Sequence, residues 1–393
     1  MRQTARIIST YSADVFGVCS ALFELGGMII MHDASGCNST YTTHDEPRWY
    51  DMDSMVYISG LSEMEAIMGD DQKLINDIVE AAEELHPAFI AVAGTPIPIM
   101  TGFDFESVAA VIEQRTGIPS FGFATTGMNT YVHGVSMALE AYARRFTDKE
   151  VKRTEHLSAN ILGLTPLDFS VNGSDQAIAA FLEKAGFEVI SRWTMGSTPQ
   201  ELELAGKASV NLVVSASGLA LAEYLKKTFG TPYVAGVPIG EVCAERLAEE
   251  LKAAAGCEEN ISDSGMKCQN VYNLDDGEMQ YKRATVIGEG IAAVSLANAL
   301  EACLSVKTKV ICPTEYAASF LRENDIAVQD EEEIEEALQG TDLMIADPLY
   351  QPICPAKTKF IPLPSESFSG RIYRKQIPNL ITEFESFVKV VNE

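Results

Sequence analysis

Two cysteines near the N-terminus have the residue type and placement that could hold a metal. Phe16 to Leu25 carries apolar residues at helical spacing, with Cys19 in or near the first turn. A short apolar strand at 28–31 and a small-residue turn then lead to Cys37, where another helix is expected to begin. A thiol at a helix N-terminus favours the thiolate, the form that binds iron or zinc. Simple packing of either cysteine is the alternative, because neither belongs to a C-x-x-C motif.

Predicted strands and helices alternate along the chain, and these elements must position the two cysteines. Such alternation is typical of an α/β protein with parallel sheets covered by helices. We predict three Rossmann-like parallel-sheet domains and one insertion. They are a first α/β domain at 1–150 with both cysteines, a middle domain at 158–256, a polar insertion at 257–283 and a third domain at 284–393. Ligands of such sheets bind beyond the carboxyl ends of the strands.

The composition excludes several classes of protein. The 393 residues are 47% hydrophobic, enough for two or three globular cores. A net charge of −27 argues against nucleic acid as a partner. No apolar run approaches the ~20 residues that span a membrane, and the N-terminal residues do not resemble a signal peptide. We therefore expect a cytoplasmic protein whose eight scattered cysteines stay reduced.

The segments around both cysteines resemble a known family. GVCSALFELGG (17–27) and IIMHDASGC (29–37) are similar to the N-terminal cysteine region of the nitrogenase component 1 superfamily, and GLSEMEAIMG (60–69) resembles a further segment of it. The superfamily includes molybdenum–iron protein subunits, cofactor-assembly scaffolds and reductases of tetrapyrrole synthesis. Its fold matches the three predicted Rossmann-like domains. Asp33 departs from the family pattern, His-Gly-x-x-Gly-Cys, by replacing the first glycine.

The resemblance implies a cofactor, a [4Fe–4S] cluster with Cys19 and Cys37 as metal ligands. The family commonly has a third cysteine, but Pro96 stands at that position here, next to Thr95. A cubane cluster takes about four ligands, so two chains related by a two-fold axis would complete it. We therefore predict a homodimer bridged by one cluster. A heteromer with a homologous subunit is the alternative.

The resemblance also implies a function and a protein partner. The chain is expected to be the catalytic component of a two-component reductase, with electrons supplied by an ATP-dependent iron-protein-like reductase. His44, Asp45, Glu46 and Arg48 are predicted close to the partner's footprint, since such a cluster suits an interface. A surface turn is the plain alternative for these residues. A scaffold for metallocofactor assembly is the alternative function within the family.

Two positions where dinitrogen-reducing subunits ligate their large cofactor differ in this chain. By local match, the cysteine position is Arg192 and the histidine position is Pro364, and neither side chain can ligate iron. We therefore expect a substrate other than dinitrogen. An arginine suits an anion, so Arg192, Ser367 and Arg371 are predicted to bind a carboxylated tetrapyrrole or a small anionic metabolite.

One motif favours a different class of enzyme. Gly288, Gly290 and Ala293 form the G-x-G-x-x-A variant of the dinucleotide fingerprint, between a predicted strand and helix. This gives a pyridine-nucleotide-dependent oxidoreductase as the competing hypothesis. The acid expected at the end of the next strand is missing, because that strand ends at Cys312-Pro313.

Overall fold

The computed structural model describes residues 5–7, 12–36, 38, 41, 45–256, 281–304, 306–316 and 319–392. Cys37, His44 and most of the predicted insertion lie outside these residues. Three separate parallel sheets are formed by the described residues, which confirms the predicted α/β fold class. The segments built on the three sheets are called the first, middle and third units below. Where one folding domain ends and the next begins stays a prediction.

The first unit is a four-stranded sheet in the order β2-β1-β3-β4. The central strands β1 and β3 are buried along their whole length, as expected when helices cover both faces of a sheet. The strands are β1 (Met28–Met31), β2 (Met55–Ile58), β3 (Ile90–Ala93) and β4 (Ser120–Phe123). The helices are α1 (Asp14–Leu22), α2 (Glu63–Met68), α3 (Asp71–Leu85), α4 (Pro96–Thr101), α5 (Phe105–Thr116) and α6 (Tyr131–Phe146).

The middle unit is a four-stranded sheet in the order β6-β5-β7-β8. The strands are β5 (Ser158–Leu162), β6 (Glu188–Arg192), β7 (Val210–Val213) and β8 (Tyr233–Ala235). The helices are α7 (Pro166–Phe169), α8 (Ser174–Lys184), α9 (Pro199–Glu203), α10 (Leu219–Phe229) and α11 (Glu241–Ala254), with 3₁₀ turns at Ala205–Lys207 and Ala216–Gly218.

The third unit is a five-stranded sheet in the order β11-β10-β9-β12-β13. The strands are β9 (Arg283–Ile287), β10 (Lys307–Cys312), β11 (Ile326–Ala327), β12 (Leu343–Ala346) and β13 (Lys359–Pro362). The helices are α12 (Gly290–Cys303), α13 (Glu331–Ala337), α14 (Glu366–Ser369) and α15 (Phe384–Asn392), with 3₁₀ helices at Pro348–Ile353 and Gly370–Gln376.

Helices α1 and α6 pack unusually closely, and this contact fixes the segment that carries Cys19. A Cβ atom on Gly17 would overlap the Tyr131 carbonyl, and one on Gly134 would overlap the Asp14 carbonyl. Only glycine permits such an approach of two backbones. Helix α6 also contacts the middle unit, where the Ser136 hydroxyl donates to the Ser217 carbonyl at 3.0 Å. Helix α6 therefore packs against α1 of the first unit and also contacts the middle unit.

Two predicted helices differ from those observed. The apolar pattern of 201–208 predicts one helix, but α9 ends at Glu203 and a 3₁₀ turn follows, where Gly206 lies directly against the Phe229 ring. The sequence also predicts a closing helix from Ile377, but the observed helix begins at Phe384. Pro378 disfavours helical backbone in the residue before it, which delays the helix.

Candidate functional site

The loops that follow β1, β2 and β3 are joined at the carboxyl edge of the first sheet. The Thr95 hydroxyl donates to the His32 carbonyl at 2.9 Å and to Asp33 Oδ1 at 3.1 Å. His32 Nδ1 lies 2.9 Å from the Ser59 hydroxyl, and burial lowers the pKa of this imidazole to about 4. Asp33, which replaces the family glycine, thus ties two loops together. Cys37 follows this edge directly in the sequence.

The start of α1 lies at the same edge. The Asp14 carboxylate accepts from the backbone N–H groups of Thr126 and Gly127 at 2.9 and 2.7 Å, in the loop after β4. At 1.5 Å per helical residue, Cys19 lies about 7.5 Å along the axis from Asp14. Cys19 is therefore buried below this edge of the sheet.

The predicted environment of Cys19 is wrong in one respect. The helix begins at Asp14, so Cys19 is its sixth residue and lies in the second turn, away from the free N–H groups. Its side chain is fully buried, and burial together with the charge of Glu46 raises the pKa of the thiol above its usual range. A thiolate here would need a nearby positive charge, such as that of a metal. The ligand role itself stays a prediction.

The described residues of one chain do not complete an iron–sulfur site. No group of three histidine, cysteine or acidic side chains in the described ranges could hold a metal ion. Cys19 supplies one soft sulfur donor of the kind that iron–sulfur clusters require. Cys37 and any further ligands would have to come from outside the described part of the chain.

Arg48 is the centre of a buried polar cluster beside α1. Its Nε donates to Glu46 Oε1 at 2.6 Å, and one Nη donates to Glu24 Oε1 at 2.9 Å. The same Nη reaches the Thr194 carbonyl of the middle unit at 2.8 Å, and the other reaches the Ser20 carbonyl at 2.7 Å. The cluster therefore joins α1 to the loop after β6.

The residues predicted to lie close to the partner's footprint are mostly inside the protein. Asp45, Glu46 and Arg48 are all buried within the chain, and His44 lies outside the described residues. Their contact with a partner stays a prediction. If they influence docking, Glu46 and Arg48 would do so by fixing the position of α1 rather than by touching the partner.

The three residues predicted to bind a substrate have different contacts. Arg192 lies at the carboxyl end of β6, with a side chain 27% exposed, and one Nη lies 3.6 Å from Asp175 Oδ2. Arg371 is 49% exposed and lies 3.6 Å from Asp45 Oδ1 of the first unit. Ser367 is fully buried, and its carbonyl accepts from the Ser12 N–H at 3.0 Å. Their role in binding an anion stays a prediction.

A partly open cavity of about 100 Å³ lies between the middle and third units. It is bounded by loops that follow β5, β9 and β13, and Pro364 is part of its wall. Most of the lining is apolar, with two carboxyl groups among the exceptions, Asp168 and Glu289. None of the described residues that line it is a cysteine or a histidine. We call this the interunit cavity.

The sequence interpretation missed both carboxyl groups. Asp168 lies shortly after the end of β5, and Glu289 lies in the turn after β9, so the rule that ligands bind at strand ends could have selected them. Glu289 was considered only as the variable residue of a dinucleotide motif. Its carboxylate accepts from the Ala292 N–H at the start of α12 at 2.9 Å. In a bound dinucleotide the pyrophosphate would lie at this helix start, where the Glu289 carboxylate would repel it. This argues against binding of a pyridine nucleotide here.

Exposed apolar side chains gather on the first unit near the same sheet edge. Met64 is 68% exposed on α2 and Met100 is 86% exposed on α4, and these two helices contact each other. The turn carrying exposed Met128 packs against Pro96 at the start of α4. We call this surface the methionine patch. It comprises Met64, Ile67, Met68, Ile97, Met100 and Met128.

Three other cysteines of the described ranges, Cys243, Cys303 and Cys354, do not line the interunit cavity. Cys243 and Cys303 line a separate cavity of about 340 Å³ beside α15. Cys354 is partly buried next to the Thr358 carbonyl. In the described ranges, helices long and apolar enough to cross a membrane are absent.

Comparison with known proteins gives consistent matches. The family model of nitrogenase component 1 type oxidoreductases matches residues 14–347. The nitrogenase iron-molybdenum cofactor biosynthesis protein NifE of Clostridium pasteurianum is 26% identical over 64% of this chain and 54% of its own length. The nitrogenase molybdenum-iron protein alpha chain of the same organism is 27% identical over 61% of this chain and 41% of its own length. A subunit of the light-independent protochlorophyllide reductase of Trichormus variabilis is 25% identical over 59% of this chain and 50% of its own length.

The fold is also that of a solved nitrogenase protein. The structure of nitrogenase Cp1 at pH 6.5 superposes with a TM-score of 0.71 at 15% identity, over 100% of this chain and 94% of that chain. The chain spans about half the length of the curated relatives that it matches. Proteins of the matched family bind iron–sulfur clusters. On the extent of the family match and the shared fold, this chain belongs to the nitrogenase component 1 type oxidoreductases.

Proposed function

We propose that the protein is the iron–sulfur component of a two-component reductase. Electrons from an ATP-dependent iron-protein-like reductase would pass through a cluster held by Cys19 and Cys37 to a small substrate. The cluster would supply one-electron transfer. The chain's own residues would position it, exclude water and bind the substrate.

The interunit cavity is the observation that carries this proposal. Pro364, the position matched to the cofactor histidine, is in its wall, and no described lining residue offers sulfur or imidazole. Its volume of about 100 Å³ is well below the roughly 300–1,000 Å³ of pockets that hold drug-sized ligands. Such a site favours conversion of a small molecule over storage of a large metallocofactor, and it also argues against dinitrogen chemistry on such a cofactor.

A homodimer would complete the cluster site. Two cysteines from each of two chains supply the four thiolates that a cubane needs. The methionine patch surrounds the edge from which Cys37 follows, and exposed apolar patches commonly mark protein interfaces. We propose that a second copy of this chain covers the patch, with the [4Fe–4S] cluster on the axis between the copies.

Reduction of the cluster by an ATP-dependent partner tests whether the protein is the iron–sulfur component of a two-component reductase. The anaerobically purified protein is mixed with an ATP-dependent iron–sulfur reductase of the family, and cluster reduction is followed by electron paramagnetic resonance. Reduction that requires both the reductase and ATP is expected. Equal reduction by a pyridine nucleotide alone would favour the oxidoreductase hypothesis based on Gly288 and Gly290.

A cofactor-assembly scaffold is the second candidate, and the NifE relatives favour it. A scaffold binds a metallocofactor and hands it to another protein, whereas a reductase completes many turnovers and keeps its cluster. Metal analysis before and after incubation with an apo acceptor protein separates the two. Transfer of metal to the acceptor would support the scaffold.

A further inference from the structure

Asp168 and Glu289 both line the interunit cavity, and they belong to different units. Asp168 Oδ1 accepts a hydrogen bond from the Tyr131 hydroxyl of α6, in the first unit. Glu289 accepts from the Ala216 N–H of the middle unit at 2.9 Å and from the Ala292 N–H of the third unit at 2.9 Å. All three units therefore contribute to this one pair of carboxyl groups.

The two carboxyl groups are unequal in their hydrogen bonding. Glu289 receives backbone N–H groups on both oxygens, which stabilises its carboxylate form. Asp168 Oδ2 is buried and has no hydrogen-bond partner among the described residues. A buried carboxylate oxygen without a partner is unfavourable, whereas a protonated one can donate to a ligand. The proton of the pair therefore belongs mainly on Asp168.

The charges around the pair favour retention of this proton. Burial first, and then the charge of Glu289, raises the pKa of Asp168, although the hydroxyls of Tyr131 and Ser215 oppose the rise. Burial likewise raises the pKa of Glu289. The other titratable side chains that interact with the pair are Tyr131 and Cys312. Among the ion pairs of the described residues, none involves either carboxyl group, so no cation offsets the repulsion.

We propose that Asp168 holds a proton and donates it through Oδ2 to a small, uncharged hydrogen-bond acceptor in the interunit cavity. The ligand class follows from the wall of the cavity. Its volume admits only a small organic molecule or a few waters. Its apolar lining and the Glu289 carboxylate reject an anion, while a carbonyl or imine group can accept the Asp168 proton.

This site rests on the proposed function in one respect, which is the source of electrons. As the substrate takes up electrons from the ATP-dependent reductase, the Asp168 O–H bond breaks and the proton forms a bond to the acceptor atom. The Asp168 carboxylate then regains a proton from water. Tyr131 and Glu289 are positioning residues, because they act through Asp168.

Infrared spectroscopy of the full chain, as purified anaerobically, tests whether Asp168 holds a proton. At pH 7 the wild type is expected to have the carbonyl band of a protonated carboxyl group that is absent in Asp168→Asn. Tyr131→Phe should shift the band, because it removes the hydrogen bond to Oδ1. Glu289→Gln should lower the pH at which the band disappears, since it removes the repelling charge. The control Asp325→Asn removes a buried carboxylate paired with Arg322 at 2.8 Å and should leave the band unchanged.

A pair of probes of nearly equal size tests the ligand class. Acetamide, the neutral probe, should shift the Asp168 band, and acetate at pH 7 should not. Absence of an Asp168-dependent band at pH 7, or equal shifts with both probes, would overturn the proposal. If Asp168→Asn fails to fold, the changes of the carbonyl band in Glu289→Gln and Tyr131→Phe still test whether Asp168 is protonated. These spectra need neither cluster nor reductase, so a protein without iron would contradict the proposed function and leave this site standing.

Discussion

Arg48 places a positive charge inside the protein, where Glu46 and Glu24 neutralise it. The guanidinium also lies over the Phe23 ring, 4.8 Å from its centroid. A buried ion pair is weak support for net stability, but removal of one partner leaves an uncompensated buried charge. At the scale of single residues, the Arg48 side chain therefore links the first unit to the middle unit and holds α1 in place.

We predict that Arg48→Ala lowers the free energy of unfolding by about 3–5 kcal/mol, because buried Glu46 and partly buried Glu24 would be left without a cation. Urea denaturation of the variant and the wild type measures the difference. Arg144→Ala is the matched control. It breaks an exposed pair with Glu140 on α6 and should cost at most about 1 kcal/mol. Equal losses in the two variants would contradict this role of Arg48.

Asp168 gives a pH-dependent prediction at the same scale. Its pKa is raised in the folded protein, so the folded state binds the proton more strongly than the unfolded state. Stability due to this group is full below the unfolded pKa of about 3.9 and is lost as pH rises through the folded value. Asp168→Asn should therefore gain stability relative to wild type as pH rises above about 4. Urea unfolding of both proteins across a pH series would show a constant difference if Asp168 titrated normally.

At the scale of elements, the contact between α1 and α6 determines where Cys19 lies. A methyl group at position 134 would overlap the Asp14 backbone, so one helix must move. We predict that Gly134→Ala costs about 1–3 kcal/mol through overpacking and also reduces the iron content, because α1 is displaced with Cys19. Glu140→Ala, on the partly exposed side of the same helix, is the control. An iron content equal to that of wild type in Gly134→Ala would contradict the link between this packing and the cluster.

The regular elements could be predicted from the sequence, and the irregular ones could not. Apolar periodicity is strong at 28–31, 131–146 and 241–254, and it predicts strand β1 and helices α6 and α11 with the observed bounds. The short helix α4, which begins with a proline, was missed, since its six residues are too few for a helical period to appear. The pairing of Asp168 with Glu289 could not be predicted, because the two acids are far apart in sequence and meet only when the units pack together.

At the scale of the whole molecule, the methionine patch and the incomplete cluster site point to the same surface. We predict that Met100→Glu disrupts the dimer, because it places a charge in an apolar interface. Sedimentation velocity under anaerobic conditions measures the mass. Val390→Glu, at a position 50% exposed on α15, is the control and should leave the dimer intact. A dimer of unchanged stability in Met100→Glu would place the interface elsewhere.

The bridging cluster is the central claim of the proposed function, and one measurement tests it directly. Iron, acid-labile sulfide and particle mass are determined on the same anaerobic sample, for wild type and for Cys19→Ala. We predict about four irons per dimer in wild type, because a cubane contains four, and loss of iron together with weaker association in the variant. About four irons per chain, or a cluster retained after both Cys19 and Cys37 are replaced by alanine, would contradict the account.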